Sequence, residues 1–313
     1  MNCISVIIPV RNEADNLDEL TRRLHSVLPQ LSAEYEIVYV TDLNQDETLH
    51  VLRRLNGENP RVKTIKLSNA FGQHVAVMAG MAIATGDAVV IMDGDLQDFP
   101  EDIPLLHQKM LEGFDIVYGT KTHKNDSRLR NLLSRSFVKV LRLLTDFNMD
   151  LNTCMFRIIS RRAADAVLRF KERDPSLTFI MGMIGFPTTK VMVTSGKRLH
   201  GNTSYGYWRQ LNLAISSIVS FSTKPLRIVS LAGLGVSGLA LIHFCFALTK
   251  WALFGVPVAG WTSLAALLGL VGGAILFAQG ITGEYIARIF MESKDRPLYI
   301  VEEKIGFSEE KRA

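Results

Sequence analysis

Two rhythms of apolar and polar positions alternate along the first 120 residues. Residues 3–10 (CISVIIPV) form a nearly unbroken apolar run, which predicts a buried strand. Leu17, Leu20, Leu24, Leu28 and Leu31 then recur at three- and four-residue intervals, the spacing of one face of a helix. The alternation continues with strands at 35–42 (YEIVYVTD), 62–68 (VKTIKLS), 88–93 (AVVIMD) and 115–120 (DIVYGT). Helices are expected around Thr48 to Leu55 and around His74 to Ala84. Strand and helix in turn predict an α/β fold, a mostly parallel sheet with helices on both faces. Ligands of such sheets bind outside the carboxyl ends of the strands, where Asp42 and Asp93 both fall.

A different pattern begins later. Ile228 to Leu248 and Trp261 to Gly283 are runs of 21 and 23 residues without Asp, Glu, Lys or Arg. As helices at about 1.5 Å per residue, each spans the roughly 30 Å hydrocarbon core of a bilayer. Lys224 and Arg227 precede the first run, and Arg288, Lys294 and Arg296 follow the second, while the connector 249–260 carries only Lys250. The positive-inside rule then places both termini in the cytoplasm. Trp251 and Trp261 stand at the expected interfaces. The amino terminus has too short an apolar stretch for a signal peptide and reads as a strand.

Composition changes this picture only in places. Hydrophobic residues make up 48% of 313, in keeping with two membrane spans. Cys3, Cys154 and Cys245 are scattered and odd in number, so neither a disulfide framework nor a zinc site is indicated. The net charge of +4 is mild, but residues 121–142 hold seven Lys or Arg against Asp126 alone. Next to membrane spans, that cluster points to anionic lipid rather than nucleic acid.

Candidate chemistry centres on residues 89–101, VVIMDGDLQDFPE. Asp93, Asp95 and Asp98 crowd negative charge at the exit of a strand, an arrangement that is costly unless a cation sits there. The oxygen-only set Asp93, Asp95 and Gln97 suits Mg²⁺ or Mn²⁺. A hard cation with few protein ligands usually bridges diphosphate oxygens, so a nucleoside diphosphate is the expected guest. No GxGxxG follows the first strand and no GxxxxGK[ST] occurs, which leaves dinucleotide and P-loop folds poorly supported.

These stretches together resemble the polyprenyl-phosphate glycosyltransferases within glycosyltransferase family 2, among them bactoprenol glucosyltransferases and dolichol-phosphate mannose synthases. IIPVRNE is similar to that group's IPVYNE, LSNAFGQHVAVMAG to its LSRNFG segment, and MDGDLQDFPE to its MDADLQDPPE. FSTKPLR (221–227), GWTSL (260–264), GEYIARIF (283–290) and RPLYIV (296–301) match the stretches bracketing its two spans. The resemblance implies a GT-A fold with a membrane hairpin and, often, a homo-oligomer, a tetramer included. It implies that Pro9, Arg11, Glu13 and Asp42 line the nucleoside pocket, with Asp93 beside ribose and diphosphate. Asp95 and Gln97 would hold the metal, and Arg128, Arg130, Arg135 and Arg198 would meet the lipid phosphate.

Three departures stand out. The group's VDDGS reads VTDLN, with Thr41 in place of the first aspartate. Its D-x-G-D-F-R-L segment reads NTCMFRI, with Asn152 and Met155 at the aspartate positions, and its G-x-S-K-Y reads GNTSY, with Ser204 where lysine is common. A proposed base is thereby missing, and Asp150 is a candidate substitute. The acceptor would still be reactive, since a phosphate monoester with a second pKa of about 6 is largely dianionic at neutral pH.

The leading expectation is therefore inverting transfer from a UDP-sugar to undecaprenyl phosphate on the cytoplasmic leaflet of a bacterial inner membrane. Glucose is the commonest sugar of the resembling group, and NTCMFR makes an amino or deoxyamino sugar the alternative. A processive polysaccharide synthase would need more spans and a QxxRW motif, which the chain lacks. A sugar-nucleotide-binding scaffold without catalysis is the third reading, prompted by Thr41, Asn152 and Met155. The catalytic domain is expected over 1–204 and an interfacial amphipathic segment over 205–227. A hairpin over 228–288 would hold spans at about 228–248 and 261–284, followed by a cytoplasmic tail over 289–313. His74 reads as a helix-start residue, His243 as an interhelical hydrogen-bonder, and Gly269, Gly272 and Gly273 as close-packing positions.

Overall fold

The computed structural model describes residues 3–120, 153–172, 175–194, 196, 222–254 and 260–307. The chain divides into two compact units. In the first, the described strands are β1 (Cys3–Val10), β2 (Glu34–Thr41), β3 (Val62–Leu67), β4 (Ala88–Ile91), β5 (Ile116–Thr120), β6 (Thr153–Ser160), β7 (Thr188–Met192) and β8 (Val301–Ile305). The helices between them are α1 (Ala14–Val27), α2 (Thr48–Glu58), α3 (Gln73–Ile83), α4 (Ile103–Leu111), α5 (Arg161–Leu168) and α6 (Leu177–Met183). One sheet results, in the order β7-β5-β6-β4-β1-β2-β3-β8. Its centre, β4-β1-β2-β3, is parallel, and antiparallel pairs enter where β6 meets β4 and β5, and where β8 meets β3.

Both faces are covered, which explains the near-continuous apolar strands. Ile4, Val6 and Ile8 point into one core with Leu17, Leu20 and Leu24 of α1, Leu52 and Leu55 of α2, and Ile103 and Leu106 of α4. Ile7 points the other way, into a second core with α3, Ala163 and Val167 of α5, and Ile180 of α6. Period-two alternation along β1 thus feeds two layers at once. At the end of β6 the turn into α5 is immediate, because Ser160 caps the helix by accepting from the Ala163 amide at 3.3 Å.

Two differences from the sequence reading concern strand ends. β4 stops at Ile91, so Asp93 lies in the loop rather than at the last strand position. The Met92 amide still reaches Ile7 O at 3.2 Å, which keeps the loop's first residue on the sheet. The segment read as a tail contains β8, which pairs antiparallel with β3 from Thr64↔Ile305 to Leu67↔Val301. VEEKI hides this role because it has no apolar run: its alternation is charged outward, as suits an edge strand. Lys66–Glu302 (2.5 Å) and Arg53–Glu303 (2.8 Å) fasten it.

The second unit holds two long helices, α7 (Lys224–Phe254) and α8 (Trp261–Glu292). Segments 224–246 and 267–292 within them are long and apolar enough to cross a membrane. Large apolar side chains such as Leu239, Ile242, Phe246, Leu270, Leu276 and Phe277 stand exposed. Tyr285 donates its hydroxyl hydrogen to Ser222 O at 2.6 Å, tying the end of α8 to the residues that open α7.

Candidate active site

Because β1 lies between β2 and β4, the loops that leave the carboxyl ends of these parallel strands are neighbours. Pro9, opposite Val40, belongs to β1, and Arg11 and Glu13 follow it directly. Asp42 is the first residue after β2, and the loop after β4 carries Asp93, Asp95 and Gln97. The predicted donor-site residues thus share one end of the sheet. Asp150, Arg128, Arg130, Arg135, Arg198, Asn152, Ser204 and the amphipathic stretch before residue 222 lie outside the described residues.

The loops after β1 and β2 are stitched together by hydrogen bonds that the sequence does not announce. Asn12 adopts a left-handed φ of 56°, a conformation asparagine tolerates better than most residues. Its amide donates to Asn44 Oδ1 at 3.2 Å, and its own side-chain oxygen accepts from the Gln45 amide at 2.8 Å. Asn44 also donates to the Thr41 hydroxyl at 2.6 Å, so the threonine that stands in for an aspartate has a neutral partner. The Glu13 amide donates to Thr48 Oγ1 at 3.0 Å, and the Glu13 carboxylate accepts from Asn16 at 2.6 Å.

This lattice holds Asp42 in an unusual state. Its side chain is only 15% exposed, and Oδ1 is buried without a hydrogen bond, with Arg11 Nε at 3.6 Å. Burial raises its pKa above the ordinary carboxylate value, and the Arg11 charge and its own backbone amide only partly offset that. An acceptor oxygen kept dry and unmatched is suited to an N–H donor brought by a ligand.

The loop after β4 is a tight acidic turn. Asp98, 1% exposed, accepts from the Asp93 amide at 3.0 Å. Gln97 donates to Asp95 twice, from its amide nitrogen at 3.1 Å and from its side chain at 2.6 Å. Gln73, at the start of α3, donates to Asp93 Oδ1 at 2.5 Å. Leu96 is forced to φ 60° with its side chain buried, a strained conformation for a branched residue. Gly94 has no room for a side chain, since a Cβ there would lie 2.6 Å from Val10 Cγ1. From the far side, the Gly196 amide donates to Gln97 O at 3.1 Å.

Among the described residues, no three His, Cys, Asp or Glu side chains form a metal-binding group. The oxygens available to a hard cation are those of Asp93 and Asp95, together with the Gln97 amide held against Asp95. Such a sparse oxygen set fits Mg²⁺ or Mn²⁺ that keeps several ligands from water or phosphate. Sequence reasoning missed Asn44, Gln73 and Gly196, whose roles arise only when loops meet. It also passed over Arg157, whose one signal is a charge set inside the apolar run MFRII.

Residues 5–168 match the Glycosyl transferase family 2 domain family. The chain belongs to glycosyltransferase family 2. An uncharacterized glycosyltransferase, YkcC of Bacillus subtilis, is 36% identical over 96% of this family 2 chain and 94% of its own. The undecaprenyl-phosphate 4-deoxy-4-formamido-L-arabinose transferase of Pseudomonas fluorescens is 33% identical over 96% of this chain and 89% of its own. Among solved structures, glucosyl-3-phosphoglycerate synthase of Mycobacterium tuberculosis, in complex with Mn²⁺, UDP and glucosyl-3-phosphoglycerate, aligns at 19% identity with a TM-score of 0.46. That alignment covers 71% of this chain and 80% of the synthase. As a family 2 member the chain is a glycosyltransferase.

Proposed function

We propose that this glycosyltransferase moves a sugar from a UDP-sugar to undecaprenyl phosphate, with inversion at the anomeric carbon, on the cytoplasmic leaflet of a bacterial inner membrane. The observation that carries this reading is the acidic Asp93–Asp98 turn at the same end of the sheet as Asp42, whose buried Oδ1 lacks a hydrogen bond, in a chain that also has two helices of membrane-crossing length. The relative named undecaprenyl-phosphate 4-deoxy-4-formamido-L-arabinose transferase supports the same acceptor class.

In this reading Asp42 accepts from the imide N–H of uracil, and Arg11 steadies the carboxylate. Asp95, with Gln97 beside it, holds Mg²⁺ or Mn²⁺, which supplies Lewis-acid stabilisation of the departing diphosphate when bound. Asp93, oriented by Gln73, faces the ribose and diphosphate. Arg128, Arg130, Arg135 and Arg198 meet the acceptor phosphate, which arrives as a dianion and needs little help in losing a proton. Met155 offers no basic group, so positioning and charge stabilisation carry the step. The catalytic domain comprises residues 1–204 together with the returning strand β8, joined through an interfacial segment at 205–227 to a hairpin at 228–288, with homo-oligomeric assembly. Glucose is the first donor to test. A 4-deoxy-4-amido pentose is the second, favoured by Met155 and by the relative's named substrate.

Purified full-length protein with undecaprenyl phosphate, Mg²⁺ or Mn²⁺ and a panel of UDP-sugars should yield one lipid product of defined mass. Asp95→Asn should lower its formation by about a hundredfold or more, the scale of losing a metal-holding carboxylate at the reacting diphosphate. Equal turnover in that variant, or no product from any donor, overturns the proposal.

A further inference from the structure

Arg157 lies in β6, opposite Ile91 on one side and Tyr118 on the other. Ile91 is the last residue of β4, so Arg157 stands beside the strand end that opens into the acidic turn. It is 1% exposed, a rare state for an arginine without a carboxylate partner. Among the described residues, no ion pair reaches it. Its hydrogen bonds go instead to Met155 O at 3.0 Å, Cys154 O at 2.9 Å and, at 3.4 to 3.5 Å, the Thr178 hydroxyl. The remaining contacts are soft and neutral: Met181 Sδ at 3.4 Å, Met155 Sδ at 3.6 Å, and the Tyr118 ring 5.2 Å from its guanidinium carbon. These contacts satisfy hydrogens but do not neutralise a charge. A buried cation left in that condition is costly unless charge of the opposite sign lies close by.

We infer that Arg157 is a positioning residue whose buried guanidinium serves as the fixed counter-charge of the Asp93–Asp98 turn, weakening its hold on a cation and easing the entry of a diphosphate. This rests on the donor-site reading above. Burial lowers the affinity of Arg157 for its proton, and Tyr118, Cys154, Asp93 and Asp98 act in the opposite direction. Neutral Met155 matters here, because its sulfur occupies the place from which a carboxylate would cancel the arginine locally. With no such partner, the field of Arg157 extends to the turn.

The consequence has a sign that a purely structural role does not share. Removing the charge should tighten Mn²⁺ binding and weaken UDP binding, whereas loosened packing would weaken both. Calorimetry on the full-length protein, with Mn²⁺ alone and then with UDP at saturating Mn²⁺, reads the two affinities separately. Arg157→Gln should shift them in opposite directions by roughly three- to tenfold each, the range for a unit charge acting at short distance through protein. Arg157→Lys, which keeps the charge, should restore both. Met155→Glu supplies a local carboxylate while leaving the arginine in place, and should reproduce the signs of Arg157→Gln. It decides the question if the buried substitution does not fold. Parallel weakening, no shift, or Arg157→Lys behaving like Arg157→Gln overturns the role assigned to Arg157. A parent protein that binds neither Mn²⁺ nor UDP overturns the donor-site reading instead.

Discussion

Asp42 spends stability to keep an acceptor ready. Its raised pKa means that the folded chain binds a proton more readily than the unfolded chain does. The stabilising contribution is therefore present below the unfolded pKa and lost as pH rises through the folded one. Asp42→Asn should melt no lower than the parent at pH 7, with a steeper acid limb in a plot of Tm against pH, because the variant lacks the stability that protonation of Asp42 adds as pH falls. The same substitution should weaken UDP binding by about tenfold or more, the scale of one charge-assisted hydrogen bond, as titration calorimetry would show. The placement of Asp42, Asp93, Asp95 and Gln97 in the loops at strand exits was readable in advance, because each follows an apolar run. Asn44 and Gln73 were not, since their meaning lies in contacts across 32 and 20 residues of sequence with Asn12 and Asp93. Asp150, Arg128, Arg130, Arg135 and Arg198 fall outside the described residues.

At the level of elements, the parallel centre of the sheet was legible from the two periodicities, and the antiparallel flanks were not. β6 was noticed as a motif, yet its strand character is interrupted by Arg157. β8 was passed over because five residues with three charges give no hydrophobic signal. Its partner β3 would otherwise present an open edge with Ile65 and Leu67 beside it. A chain ending after Arg296 should therefore unfold at lower temperature and aggregate on heating, as followed by circular dichroism and light scattering in the same detergent. Charge reversal at Glu302 and Glu303 should have a smaller effect, about 1 kcal/mol or less for each exposed pair.

For the whole molecule, the exposed apolar surfaces of α7 and α8 dictate its solvent. Leu239→Arg, near the middle of the first membrane-length segment, should add about 2.5 to 3.5 kcal/mol to the cost of insertion. Fractionation of cells should then find less protein in the membrane pellet, with the remaining soluble fraction still able to bind UDP. The expected spans lay inside the observed helices, which extend past them to Lys224 at the start of α7 and to Glu292 at the end of α8. The place of β8 in the chain has a consequence for biogenesis. During synthesis the ribosome releases seven strands of the sheet before the hairpin, and the eighth only after it. The catalytic unit thus reaches its final form only after both apolar helices have left the ribosome, and a nascent enzyme stalled before that point carries an unfinished edge.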